Sequence, residues 1–426
     1  MAAPDTVIIG GGASGLAAAI TAARHGARVT VIERDVAAGL PILATGNGRC
    51  NISNVNLDPA RYRYPDIART VMGSQPEDYV RAFFDGLGLL MAEEAEGRLY
   101  PVTRRAESVR DVLLDSCTRE GVALRCGAEV TAVRFDAATG SWKLTVSEPA
   151  TPLHPKAGHD AKAALRNARK ALAAALRKER ILCAHRVIIA CGGASQMVAK
   201  LFSLPHVPET PLLCPVAASI VGANRALEAL DGLRVHAELA LRRDSSTVWY
   251  EEGEILFRSY GISGIAAFNL SRRIKPGDSV LVDLFPQIDR DMLHELLTKR
   301  ANLLGTFSTE NPSWLDGLLA PALAKVVCKL YDTCHPGDHN VSHIVNICKH
   351  LKLAVTGTAE PQQAQVHRGG IPFDAVDLPS LTIRPDLAPA LSVCGEACDM
   401  DADCGGYNLA WAWLSGIRAG QEAIRG

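Results

Sequence analysis

The sequence predicts an α/β chain that starts one domain, leaves it for inserted β-rich and helical segments, and then returns. Three observations carry this. Residues 5–33 read as strand, glycine-rich turn, helix and strand. Residues 210–285 change to short alternating segments, and 288–350 to a helical pattern. Residues 391–417 then resume the strand–loop–helix character of the beginning.

The elements follow in order. Residues 6–9 are a short apolar run. Residues 13–25 are Ala-rich and helical, Gly26 stops them, and 28–32 alternate toward a second strand. Residues 39–54 are rich in Gly and Asn and read as a loop. Residues 76–90 and 108–120 have the spacing of amphipathic helices, and 128–136 with 141–147 form a hairpin around Ala138-Thr139-Gly140. Residues 149–180 are an Ala-rich helical stretch carrying Lys156, Lys162, Arg166, Arg169, Lys170, Arg177, Lys178 and Arg180, opposed only by Asp160 and Glu179. Such a run is either a solvated surface helix or a docking face for an acidic partner or a phosphorylated cofactor. Residues 187–190 are an apolar strand leading into Cys191-Gly192-Gly193-Ala194-Ser195. Beyond them, 237–242 and 279–284 alternate around a Pro276-Gly277-Asp278 turn, 291–304 and 320–334 are helical, and 364–370 form a Gly-rich junction.

With 426 residues the chain exceeds what one core usually serves, so two or three domains are expected. Lys plus Arg number 45 against 46 Asp plus Glu, a balance with no general pull toward nucleic acid or membrane, so nucleic acid is not an expected partner. No stretch approaches the roughly 18 apolar residues of a membrane span. The first strand begins without a basic, cleavable leader, and a cytoplasmic location is expected. The 12 cysteines show no paired framework and are expected as thiols. Cys394, Cys398 and Cys404 match no zinc spacing, and no metal site is expected.

Gly10-Gly11-Gly12-Ala13-Ser14-Gly15 satisfies G-x-G-x-x-G between a strand and a helix. Gly10 permits a tight turn, Gly12 lets backbone approach a diphosphate, and Gly15 allows helix–strand packing. The helix start at Ala13 and Ser14 offers N–H groups to the phosphates. Glu33, 18 residues past Gly15, and the adjoining Arg34 lie at the end of the second strand and are candidate cofactor contacts. An acid there suits ribose hydroxyls and disfavours a 2′-phosphate, which favours FAD or NAD over NADP. The loop Leu43-Ala44-Thr45-Gly46-Asn47-Gly48-Arg49-Cys50-Asn51-Ile52-Ser53-Asn54 can bring amides and Arg49 against a long, bent cofactor.

Taken in order, the TGNGRCN loop, the strand ending in Gly192-Gly193-Ala194-Ser195, residues 256–272 (LFRSYGISGIAAFNLSR), and Gly395-Glu396 followed by Gly405-Gly406-Tyr407-Asn408-Leu409 resemble the bacterial BaiN-like and aminoacetone-oxidase-like FAD-dependent oxidoreductases over nearly the whole chain. The resemblance implies a glutathione-reductase-like, Rossmann-type FAD-binding domain over 1–205 and 370–426, which includes the basic insertion at 150–181. It implies a β-barrel domain over 206–286 and 351–369, and a small helical domain over 287–350. It implies FAD contacts from Gly10, Gly12, Gly15 and Glu33, from Thr45, Gly46, Asn47, Arg49, Cys50 and Asn51, from the Val130 backbone to adenine, and from Gly192, Gly193, Gly395 and Glu396. Gly406, Tyr407, Asn408 and Leu409 would open a final helix whose dipole faces the flavin. Where many family members carry Thr, this chain has His367, before Arg368-Gly369-Gly370, and residues 379–384 replace the family's Met-Glu-Ser-Lys stretch. His367 and Tyr260 are therefore candidate proton donors, and Arg258 with Tyr260 candidate substrate contacts. No second G-x-G-x-x-G follows residues 187–190, so NADH or NADPH is expected only as a transient electron donor. The expected activity is hydride transfer between flavin N5 and a small organic substrate, with NAD(P)H-driven reduction of a conjugated double bond as its expected form. An amine oxidase releasing hydrogen peroxide and a flavin-binding RNA-modification or interaction protein are the alternatives.

Overall fold

Strands buried on both faces read as continuous apolar runs, and Val7–Ile8–Ile9 and Val187–Ile188–Ile189 are of this kind, all at most 6% exposed. They form the centre of a seven-stranded sheet in the order Val376–Asp377, Thr382–Ile383, Leu391–Val393, Arg186–Ile189, Asp5–Ile9, Arg28–Glu33, Ala123–Cys126. The last five are parallel. From Asp5–Ile9 the chain builds outward through Arg28–Glu33 to Ala123–Cys126. It then returns to the other side with Arg186–Ile189, so the winding reverses between the first strand and Arg186–Ile189. In sheets of this type, ligands bind outside the carboxyl ends of the strands at such a reversal.

The computed structural model describes residues 5–151, 161–223, 225–338 and 340–423. The chain divides into two units, Met1–Thr210 with Val366–Gly426, and Pro211–Gln365. In the first, helix Ala13–Arg24 packs closely against the final helix Tyr407–Glu422. A Cβ on Gly416 would lie 2.4 Å from the Ser14 carbonyl oxygen, and one on Gly420 2.5 Å from that of Ala18. Only hydrogen fits between these backbones.

The expected hairpin is present as Glu129–Asp136 and Ser141–Pro149, and gains a third strand, Arg177–Ala184. This corrects the reading of the basic stretch. Helix Ala161–Ala174 carries Lys162, Arg166, Arg169 and Lys170, whereas Arg177, Lys178 and Arg180 lie on a strand. Glu148, on the paired strand, sits 3.1 Å from Arg180 and 3.8 Å from Lys178, which gives strand pairing a charge reward that helical periodicity cannot reveal. Lys156 lies outside the described residues. The loop expected at 39–54 is also partly helical, with Leu40–Ala44 carrying Pro41 in its first turn, where proline is tolerated.

The second unit contains a closed barrel in the order Val216–Ile220, Gly261–Ser263, Ser246–Arg258, Arg234–Arg243, Ser279–Asp283, Leu351–Thr358. Alternation turns Leu239, Leu241, Val280 and Val282 inward. Helices Arg290–Leu304, Pro321–Cys334 and Val341–Lys349 share one hydrophobic core with these strands. The barrel and helical segments expected as two domains thus form one packed body. Among the described residues no helix is long and apolar enough to cross a membrane.

Candidate cofactor and active site

The carboxyl ends of four adjacent parallel strands carry most of the residues singled out above. Asp5–Ile9 runs into Gly10–Gly12, Arg28–Glu33 ends on Glu33, Arg186–Ile189 runs toward Gly192 and Gly193, and Leu391–Val393 toward Gly395 and Glu396. The three motif glycines differ in their surroundings. A Cβ on Gly10 would lie 2.3 Å from the Ala190 carbonyl, and one on Gly15 1.9 Å from the Gly10 carbonyl. Both are demanded by packing. Gly12, which begins helix Ala13–Arg24, has nothing within 4 Å of its missing Cβ. Protein packing does not require glycine there, whereas a diphosphate seated on the helix start would. Gly192, with a left-handed φ of 64°, likewise faces open space. These residues fit the diphosphate of FAD.

Glu33 accepts from the Gly11 N–H at 2.8 Å and the Asp35 N–H at 2.7 Å, tying the glycine turn to the end of the second strand. Its oxygens keep further lone pairs for ribose hydroxyls. Arg34 is exposed. Asp35 pairs with Arg169, which lowers the carboxyl pKa and fastens the basic helix beside this loop. Val130 is buried opposite Val146, two residues beyond Ala128, whose N–H donates to the Glu33 carbonyl.

In the 45–51 loop, Thr45 donates to the Ile42 carbonyl at 2.6 Å, and Gly46, Asn47 and Cys50 take left-handed conformations. Cys50 is buried, which pushes its thiol up to about 11. Arg49 pairs with Glu94 and lies 4.3 Å over the Tyr100 ring, so its side chain is held by protein groups. In the amide orientation that satisfies its neighbours, Asn51 accepts from the Gly406 N–H and donates to the Ser53 carbonyl. This joins the loop to the start of the final helix. A Cβ on Gly406 would lie 2.3 Å from the Ser53 carbonyl. Asn408 accepts from the Ala402 N–H and donates to the Ala402 and Asp403 carbonyls, bracing the preceding loop. The Tyr407 carbonyl takes the Tyr62 hydroxyl, and Leu409 packs on the core.

His367 stands beside Gly193, where a Cβ would meet its Nδ1 at 2.8 Å. Glu396 accepts from the His367 N–H and lies 3.4 Å from Nδ1. The hydrogen bond to Glu396 raises the His367 pKa against partial burial. The structure thus places Glu396, expected as a cofactor contact, next to the candidate proton donor. Tyr260 lies in the second unit. It donates to Glu360 at 2.6 Å, and burial, reinforced by Glu360, pushes its hydroxyl up to about 12. Arg258 lies 5.8 Å over the Tyr260 ring and pairs with Asp231.

Sequence reasoning missed what fixes His367. The loop Asp399-Met400-Asp401-Ala402-Asp403 buries three carboxylates. Asp399 takes the Gly369 N–H, Arg63 and the Tyr64 hydroxyl; Asp401 takes Arg368; Asp403 faces Arg61. The buried acids therefore hold Arg368 and Gly369, the two residues after His367, while Glu396 holds the His367 N–H. The alternating D-x-D-x-D was the visible signal, because buried acids require cationic partners.

A family model described as the HI0933-like protein Rossmann domain matches residues 4–422. A 3-dehydro-bile acid delta(4,6)-reductase of Clostridium scindens is 29% identical, the match covering 98% of each chain. A ribosomal RNA dihydrouridine synthase of Escherichia coli is 25% identical over 99% of this chain and 98% of its own. Its counterpart in Haemophilus influenzae is 23% identical over 96% of each.

Proposed function

On the premise that the chain belongs to the HI0933-like Rossmann-domain family and is an FAD-dependent oxidoreductase, we propose that it reduces a carbon–carbon double bond conjugated to a carbonyl, with NADH or NADPH as electron donor. The observation that carries this reading is His367, set beside Gly193 and paired with Glu396 in the unit that also holds the glycine turn. Saturating such a bond takes a hydride at one carbon and a proton at the other. FAD, when bound, supplies the hydride chemistry. Gly10, Gly12, Ala13, Ser14 and Gly15 would hold its diphosphate, Glu33 its ribose, and Gly192, Gly395 and the start of the final helix its flavin end.

The chain's own contribution is the proton. As imidazolium, His367 carries protons on both ring nitrogens; Nδ1 faces Glu396, leaving Nε2 to give its proton to the substrate carbon next to the carbonyl. Tyr260, its proton engaged by Glu360, is the weaker acid.

The names of the relatives support this bond type. A 3-oxo bile acid with unsaturation at positions 4 and 6 is a conjugated ketone, and the uracil C5=C6 bond that dihydrouridine lacks is conjugated to a carbonyl. An RNA substrate is the second reading, favoured by the two synthases and by the basic helix.

The test is anaerobic. Protein reduced with NADH or NADPH is mixed with a 3-oxo-Δ4 steroid, a cyclic enone or ribosomal RNA. Flavin reoxidation with matching saturated product is expected from at least one. Failure of all three, with oxygen consumed in a separate aerobic assay when an amine is supplied, would replace the proposal with an oxidase.

A further inference from the structure

We propose that the turn between helices Pro321–Cys334 and Val341–Lys349 is a divalent transition-metal site, with His335, Asp338 and His343 binding zinc. The three residues fall within nine positions, at the end of one helix, in the turn, and in the first turn of the next. Their ligand atoms lie within 4.8 Å of one another. The Asp338 carboxylate is 2.9 Å from His343 Nε2, and the two imidazoles stack with centroids 3.6 Å apart.

The surroundings hold this cluster in place. The Asn340 N–H donates to one Asp338 oxygen at 3.0 Å, so the other turns to His343. The Asn340 side chain caps the second helix through the Ser342 N–H, and the Tyr331 hydroxyl donates to the Asn340 carbonyl. Tyr331 also meets both imidazoles edge-on. These contacts hold Asp338, Asn340 and the start of the second helix in place, which lowers the ordering entropy that opposes binding.

The donor set selects the ion. Two imidazoles and one carboxylate suit zinc and its neighbours, and not calcium or magnesium, which take all-oxygen shells. Tetrahedral zinc with bonds of about 2.0–2.2 Å needs donors roughly 3.4 Å apart. The 4.8 Å spread exceeds this by about 1.4 Å, and the stacked imidazoles would have to turn about their side-chain bonds to aim a nitrogen each at one ion. Among the described residues three ligands are offered, and water or a further group would complete the shell. The bound ion would staple two helices of the second unit's core.

Flavin-loaded protein without a histidine tag is dialysed against zinc chloride, then against zinc-free buffer, and its metal content measured. Retention of about one zinc per chain is expected, with a rise in melting temperature that a chelator reverses. His335→Gln and His343→Gln should each lose the zinc and the thermal shift at unchanged flavin content. Asp338→Asn, which keeps the Asn340 contact available, should weaken retention at least tenfold. Wild-type protein retaining no more zinc than the His335→Gln, His343→Gln double variant would overturn the assignment, as would zinc retained with no thermal response.

Discussion

Gly12 and Gly15 are three residues apart and meet opposite surroundings, and this separates binding from folding. Because a Cβ at Gly12 faces open space, Gly12→Val should fold with near wild-type stability yet lose FAD, read as flavin absorbance per protein. Because a Cβ at Gly15 would lie 1.9 Å from the Gly10 carbonyl, Gly15→Val should instead destabilise the chain by at least about 1–3 kcal/mol in urea unfolding. His367 supplies the second residue-level expectation. Glu396 raises its pKa, so the acid form is present at low pH and is lost as pH rises through that raised value. Its contribution to stability has the same sign: it is complete below the unfolded pKa near ~6.5 and disappears as pH rises through the folded pKa. Substrate-driven flavin reoxidation should be flat at low pH and decline above the shifted pKa. Glu396→Gln should move the decline to lower pH, and His367→Ala should slow this step by about 10²–10⁴ while leaving flavin reduction unchanged. A rate slowed without any change in the pH profile of Glu396→Gln would leave Glu396 a structural role only.

At the scale of elements, legibility followed local periodicity. The glycine turn, the apolar strands and the final helix were readable because each depends on neighbours in sequence. Arg177, Lys178 and Arg180 were misread as helical because their pairing partner, Ser141–Pro149, lies about thirty residues earlier and carries the Glu148 that offsets their charge. In the 399–403 loop the alternating acids are visible but their partners are not, for the same reason: Arg61, Arg63 and Arg368 reach it from distant segments. Asp401 is fully buried and pairs with Arg368. Arg368→Ala should therefore cost about 1.5–3 kcal/mol by removing the paired, charge-assisted hydrogen bonds to that carboxylate. Denaturant titration checks the loss, and Arg368→Lys should recover only part of it, since a lysine cannot make the two parallel bonds.

For the whole molecule, the composition changes at residues 210–285 and 288–350 announced the insertion, but not that barrel and helices would share one core. Every residue assigned to FAD lies in the first unit. Strands Val207–Leu212 and Val366–Gly370 are paired, with the Gly369 side-chain position 2.5 Å from the Pro208 carbonyl, so a short linker can replace 211–365. The shortened chain should retain FAD; a folded but colourless product would mean that the second unit contributes to holding the cofactor.

The most direct measurement is identification of what the purified chain carries. Denaturation and chromatography of the supernatant should release FAD at close to one per chain, absent from Gly12→Val. A colourless wild-type protein that takes up no added FAD would contradict the assignment of the strand-end crevice and the reductase reading with it.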